Sequence, residues 1–141
     1  MIGVMLALVS LAQNMPSANA AGMRAASLLA ENTTLVVNSS SDHFSDGCTL
    51  NGEIGIGWRD CTLHEAIERE NTTAGPDTIT FSPSVFGINA IITLEQALPA
   101  IADNLTIYGD SGNGAVRISG ADLYQIFFVN SGKKLNLQST Q

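Results

Sequence analysis

From Thr34 onward apolar residues in this chain are grouped in short, β-branched or aromatic runs, with one exception. Thr34-Leu35-Val36-Val37, Thr78 to Phe81, Ile91 to Leu94, Leu105 to Tyr108, Ala115 to Ser119, Ile126 to Asn130 and Leu135 to Gln138 each predict a strand. Turn clusters separate the later ones: Gly75-Pro76-Asp77, Gly109 to Gly114, Ser119-Gly120-Ala121-Asp122 and Asn130-Ser131-Gly132. The exception is Cys61 to Asn71, where Leu63, Ala66 and Ile67 fall at i, i+3 and i+4 and predict one amphipathic helix. Thr62 can accept from the Glu65 N–H while the Glu65 carboxylate reaches back to the Thr62 N–H, a capping box that fixes the helix start. Asn71 tolerates the left-handed conformation that commonly ends a helix. Such a short helix is marginal in water alone, so its apolar face must rest on something.

Strand starts after the helix recur every nine to fourteen residues, a spacing that fits a sandwich, a barrel or a solenoid. No Asn-Gly or Asp-Gly pair joins two strands as a two-residue hairpin turn, which favours stacked parallel strands over a meander. With three strands per coil, Leu105-Thr106-Ile107 and Leu135-Asn136-Leu137 would stack thirty residues apart. The first coil of a solenoid leaves an open core and unpaired strand edges, and the Leu63, Ala66, Ile67 face is suited to covering them. Lys134 to Gln141 stops at what reads as a fresh strand, so a longer protein is expected.

Cys61, Thr62, Leu63, Glu65, Ala66, Ile67 and Asn71 also carry a family resemblance, together with Asp46-Gly47-Cys48, Asp77-Thr78-Ile79-Thr80-Phe81, Leu98-Pro99-Ala100-Ile101 and Leu105-Thr106-Ile107. The chain beyond about Thr34 resembles the N-terminal region named for its Cys-Ser-Leu-Arg-Glu-Ala signature (CSLREA). That region opens bacterial secreted or surface proteins of the polymorphic outer-membrane and adhesin-like kind. The resemblance implies a mainly β fold, a right-handed parallel β-helix with a short capping α-helix. His64 departs from the signature, standing where the family has Arg, which puts any ion pair made by that Arg in doubt.

On this reading the chain divides into a signal peptide over 1–20, a linker over 21–33, a cap region with loop and helix over 34–76, and the first coils of a β-helix over 77–141. The signal peptide rests on the apolar run Ile2 to Ala12 and the small-residue site Ala18-Asn19-Ala20. No positive charge precedes the run, so a buried hydrophobic helix stays open as the other reading. Nothing approaches the length of a transmembrane span. Cys48 and Cys61, thirteen positions apart, are expected to form a disulfide in an oxidising compartment, with two free buried thiols as the alternative.

Charge and motifs narrow the chemistry. Thirteen acidic against six basic residues among 141 argue against nucleic acid as a partner. Asp42, Asp46, Gly47 and Glu53 occupy positions 1, 5, 6 and 12 of a calcium-loop template, which makes calcium the one candidate cofactor. Phe44 at position 3 cannot ligate, and a solvated loop is the competing reading. Gly52 to Gly57 is glycine-rich in the wrong order for a dinucleotide site. His43 and His64 lack a sequence-evident nucleophile or metal partner, so a surface or cap-packing role is expected. The sequons at Asn32, Asn38, Asn71 and Asn104 reflect a Ser- and Thr-rich composition. Arg117 with Asp103, Asp110 and Asp122 invites comparison with polysaccharide lyases, which use a basic residue and acidic side chains on the same architecture. Aspartates in turns, however, are common for conformational reasons.

The expected function is structural, adhesin-like display at the cell surface or in secretion, with no catalysis in this segment and an unidentified surface or carbohydrate ligand. The alternative is the N-terminal part of a polysaccharide lyase or another carbohydrate-active enzyme.

Overall fold

The computed structural model describes residues 32–43, 47–48 and 60–139; the expected signal peptide and most of the expected linker lie outside them. Six strands and one helix follow in the order β1 (Thr34–Val37), α1 (Leu63–Glu70), β2 (Asp77–Phe81), β3 (Ile91–Thr93), β4 (Leu105–Tyr108), β5 (Arg117–Ser119) and β6 (Leu135–Gln138). The fold is mainly sheet, and all its strand ladders are parallel. One sheet runs β1-β2-β4-β6 and a second pairs β3 with β5, so no barrel closes among the described residues.

Pairing is long-range. Partners in the larger sheet lie 44, 28 and 30 positions apart (Thr34 with Thr78, Asp77 with Leu105, Leu105 with Leu135), and 26 apart in the smaller one (Ile91 with Arg117). Because parallel neighbours stay in step, like residues stack on like. Leu35, Ile79 and Ile107 point into the core while Thr34, Thr78 and Thr106 stand on the other face. Phe81 and Phe86 pack edge to face, with centroids 5.2 Å apart and ring planes at 75°.

Helix α1 packs against β1. Leu63, Ala66 and Ile67 are completely buried. Removing the Leu and Ile side chains from water contributes roughly 1.5–3 kcal/mol each, which supplies what a helix of eight residues lacks by itself. At the opposite edge no described residue covers β6. Along the inward ladder Leu35, Ile79, Ile107 and Leu137, exposure runs 0, 0, 2 and 59%.

Two expectations need correction. Ile126 to Asn130 is not a strand: it makes one parallel bridge, Val129 to Ile101, with Ile101 N–H donating to Phe128 O and Asn130 N–H to Ile101 O. The ladder cannot lengthen toward the N-terminus, because Pro99, the preceding residue whose N–H would face this segment, has none. Asn71 is not left-handed either, with φ −64° and ψ −13°. Its N–H donates to Ile67 O, and the Thr72 and Thr73 hydroxyls lie 2.7 and 3.0 Å from the last carbonyls, Arg69 O and Glu70 O. The C-terminal carbonyls are therefore satisfied without a reversal of hand.

Candidate functional site

Among the described residues the buried polar groups, Ser111 apart, gather around α1. At its N-terminus the capping box is formed: Glu65 N–H donates to Thr62 Oγ1 at 3.2 Å, and Thr62 N–H donates to Glu65 Oε2 at 3.0 Å. Glu65 does more than cap, because its Oε1 also accepts from the Gly47 N–H at 3.2 Å. The carboxylate thus joins the helix start to the loop that Cys48 anchors. Cys48 and Cys61 form a disulfide. Asn38 closes the other side of this junction: its N–H donates to Cys61 O, and its Oδ1 accepts from Cys61 N–H at 2.6 Å.

Asp42 is fully enclosed. Its Oδ2 accepts from the backbone N–H groups of Glu95 and Gln96 at 2.8 and 3.3 Å, and its Oδ1 lies 3.8 Å from His64 Nδ1. His64 therefore faces a buried carboxylate. His43 lies 3.1 Å from Asp60 through Nε2. Of the three calcium candidates, Asp46 and Glu53 lie outside the described residues, while Asp42 is engaged as above. Among the described residues no group of three or more His, Cys, Asp or Glu could hold a metal ion.

A second cluster ties the helix end to the first two strands. Glu70 and Asp77 are both buried. The Thr33 hydroxyl lies 3.0 Å from Glu70 Oε2 and 2.8 Å from Asp77 Oδ1, Thr33 N–H donates to Asp77 Oδ1, and Thr73 Oγ1 donates to Asp77 Oδ2 at 2.6 Å. Burial first, then the hydrogen bond to Asp77 and its charge, push the Glu70 carboxyl up from 4.5 to about 8, against the pull of the Thr33 and Thr73 hydroxyls. Burial would raise Asp77 as well, but the hydrogen bonds from Glu70, Thr73 and Thr33 outweigh it and hold that carboxyl below its ordinary range. Asn71 completes the helix end: its Nδ2 donates to Ala100 O at 2.8 Å while Oδ1 accepts from Ala102 N–H.

The lyase-like residues do not converge on a shared partner. Asp103 pairs with Lys133 at 3.0 Å, and that hydrogen bond, with a second from Asn104 N–H, holds it below its ordinary range. Asp110 accepts from the Gly112 N–H inside its own turn. Asp122 sits exposed in the left-handed region, and Arg117 is an exposed β5 residue. Comparison of the chain with protein-family models, curated proteins and solved structures gives no match.

Sequence reasoning singled out the capping box, the cysteines and the apolar helix face. It missed the Glu70–Asp77 pair, the engagement of Asp42 and the side-chain bridge of Asn71. The pair carried a usable signal: Glu70 stands seven residues after Leu63 and three after Ile67, on the apolar face, and Asp77 is in phase with the inward Ile79 and Phe81.

Proposed function

We propose that this chain is the cap and the first coils of a right-handed parallel β-helix of the Cys-Ser-Leu-Arg-Glu-Ala kind, displayed outside the cell in an adhesin-like structural role. The observation that carries the reading is the pairing of parallel ladders, 26 to 30 positions apart beyond β2, with a helix whose apolar face is wholly buried at one edge. Stacked coils of this kind need a plug at the first rung, and α1 packs on β1, the first strand among the described residues, which supports the reading. Right-handedness follows from the general preference of parallel crossovers. A stack in which most of the buried polar groups serve the junctions between cap and coil suits a scaffold that holds binding elements at a distance.

Intact cells producing the protein are labelled with an antibody to this segment, and the purified protein is incubated with a panel of polysaccharides. Surface labelling, with retention on a carbohydrate or cell surface and no cleavage, is expected. Labelling only after lysis would overturn display, and release of shortened or unsaturated sugars would transfer the chain to the lyases.

A further inference from the structure

Two carboxylic side chains buried side by side need a proton or a cation between them. No Lys, Arg or His of the described residues lies within ion-pair distance of Glu70 or Asp77. The groups around them are few. Helix α1 adds Glu68 and Arg69, both exposed; β1 is preceded by Thr33; the loop after the helix supplies Thr73; and β4 places Leu105 in register with Asp77. Asp77 is the charged group acting on Glu70.

Hydrogen counting then limits the arrangement to one shared proton, and the further donors at Asp77, Thr33 N–H and Thr73 Oγ1, leave that proton to Glu70. The Thr33 hydroxyl has one hydrogen, yet oxygens of both carboxyl groups lie within 3.0 Å of it. With both acids ionised, one of those contacts sets lone pair against lone pair. With Glu70 protonated at Oε2, Glu70 donates to Thr33 and Thr33 donates to ionised Asp77, so both contacts of that hydroxyl are satisfied, while the buried Glu70 Oε1 makes no hydrogen bond. We infer that Glu70, Thr33 and Asp77 form a one-proton fastening that holds the end of helix α1 on β1 and β2 and releases it when that proton is lost in alkaline surroundings. The fastening is a property of the cap and stands apart from the display reading.

The sign follows from the raised position of Glu70. Its contribution to stability is complete below about pH 4.5 and is lost progressively as the pH climbs to about 8. Asp77, held low, contributes at all pH values above the ordinary carboxylate range and so adds no slope there. Wild-type and Glu70→Gln chains are melted between about pH 6 and pH 9 in the presence of chelator. Gln donates to Thr33 whatever the pH, so its melting temperature serves as the reference, and the two histidine–aspartate pairs act equally in both proteins. The wild type is expected to fall by roughly 10 °C relative to Glu70→Gln across this range. Parallel profiles would overturn the fastening. If calcium restored the wild type at pH 9 and left Glu70→Gln unchanged, a cation rather than a proton would be the tie, and the inference would fail. Infrared spectra of the folded wild type give an independent reading that requires no variant. A neutral carboxylic acid band at pH 7 that disappears through about pH 8 is expected, and its absence at pH 7 would also overturn the inference.

Discussion

Gly109 and Gly120 look alike in sequence and differ in what surrounds them. Gly109 lies two residues beyond Ile107, in step with Phe81, and borders a cavity of about 230 Å³ walled by Phe81, Ile107, Val116, Ile118, Phe127 and Leu137. A Cβ there would make ordinary contact with Gln138 O at 3.6 Å, and its φ is not positive. At Gly120 a Cβ would drive into the carbonyl oxygen of Tyr124, which is backbone and cannot swing away. The turn that follows already holds Ala121 and Asp122 at φ 53° and 60°, a conformation that side chains resist. Gly109→Ala is expected to raise stability by roughly 0.5–1 kcal/mol through reduced unfolded-state freedom. Gly120→Ala is expected to lower it by about 2 kcal/mol or more, as backbone clashes do. Chemical denaturation of the two variants checks both signs, and equal effects would show that the turn relaxes.

Helix α1 shows how far an element can be read before its partners are known. Its start, its apolar face and its disulfide neighbour are local in sequence, so capping chemistry and 3.6-residue periodicity were enough to find them. Its end was not legible, because Asn71 is held by Ala100 and Ala102, about thirty positions away. The strands divide in the same way. β1, β2, β4 and β6 carry enough apolar residues in phase to be recognised, whereas Ile126 to Asn130 has the composition of a strand and was demoted by what lies opposite, a proline. Register across gaps of 26 to 44 residues is a tertiary fact, and so is the engagement of Asp42 with Glu95 and Gln96. The loop between β1 and α1 depends on local covalent closure. Replacing Cys48 and Cys61 together by Ser opens a loop of thirteen positions and is expected to cost about 3 kcal/mol by the chain-entropy estimate. Far-ultraviolet circular dichroism at low denaturant checks that the helix itself survives, since Thr62 and Glu65 cap it independently of the sulfurs; loss of the helical signal would show that the bridge, and not the capping box, sets the helix start.

At the scale of the molecule the two edges of the larger sheet are unequal among the described residues. The β1 edge is backed by α1 and the loop residues Asn38 and Cys61, whereas β6 presents Leu137 and a half-buried Leu135 at positions that are buried in β2 and β4. A parallel edge with an apolar inner face is a template for further strands, and burying Leu137 together with the cavity beneath it would favour association. The asymmetry limits the form association takes: head-to-tail growth needs two open edges, and the core behind β1 is filled by Leu63, Ala66 and Ile67. Self-association of the 141-residue chain should therefore stop at a small closed species joined at β6. Leu137→Asp places a charge at the centre of that surface, where the side chain is already 59% exposed, so it is expected to cost the monomer less than about 1 kcal/mol. Sedimentation velocity over a concentration series is expected to show dimers for the wild type and monomers for the variant, with melting temperatures close to each other. A wild type that stays monomeric at the highest concentrations would mean that the β6 edge is protected in solution, and open filaments would mean that α1 does not close the opposite end.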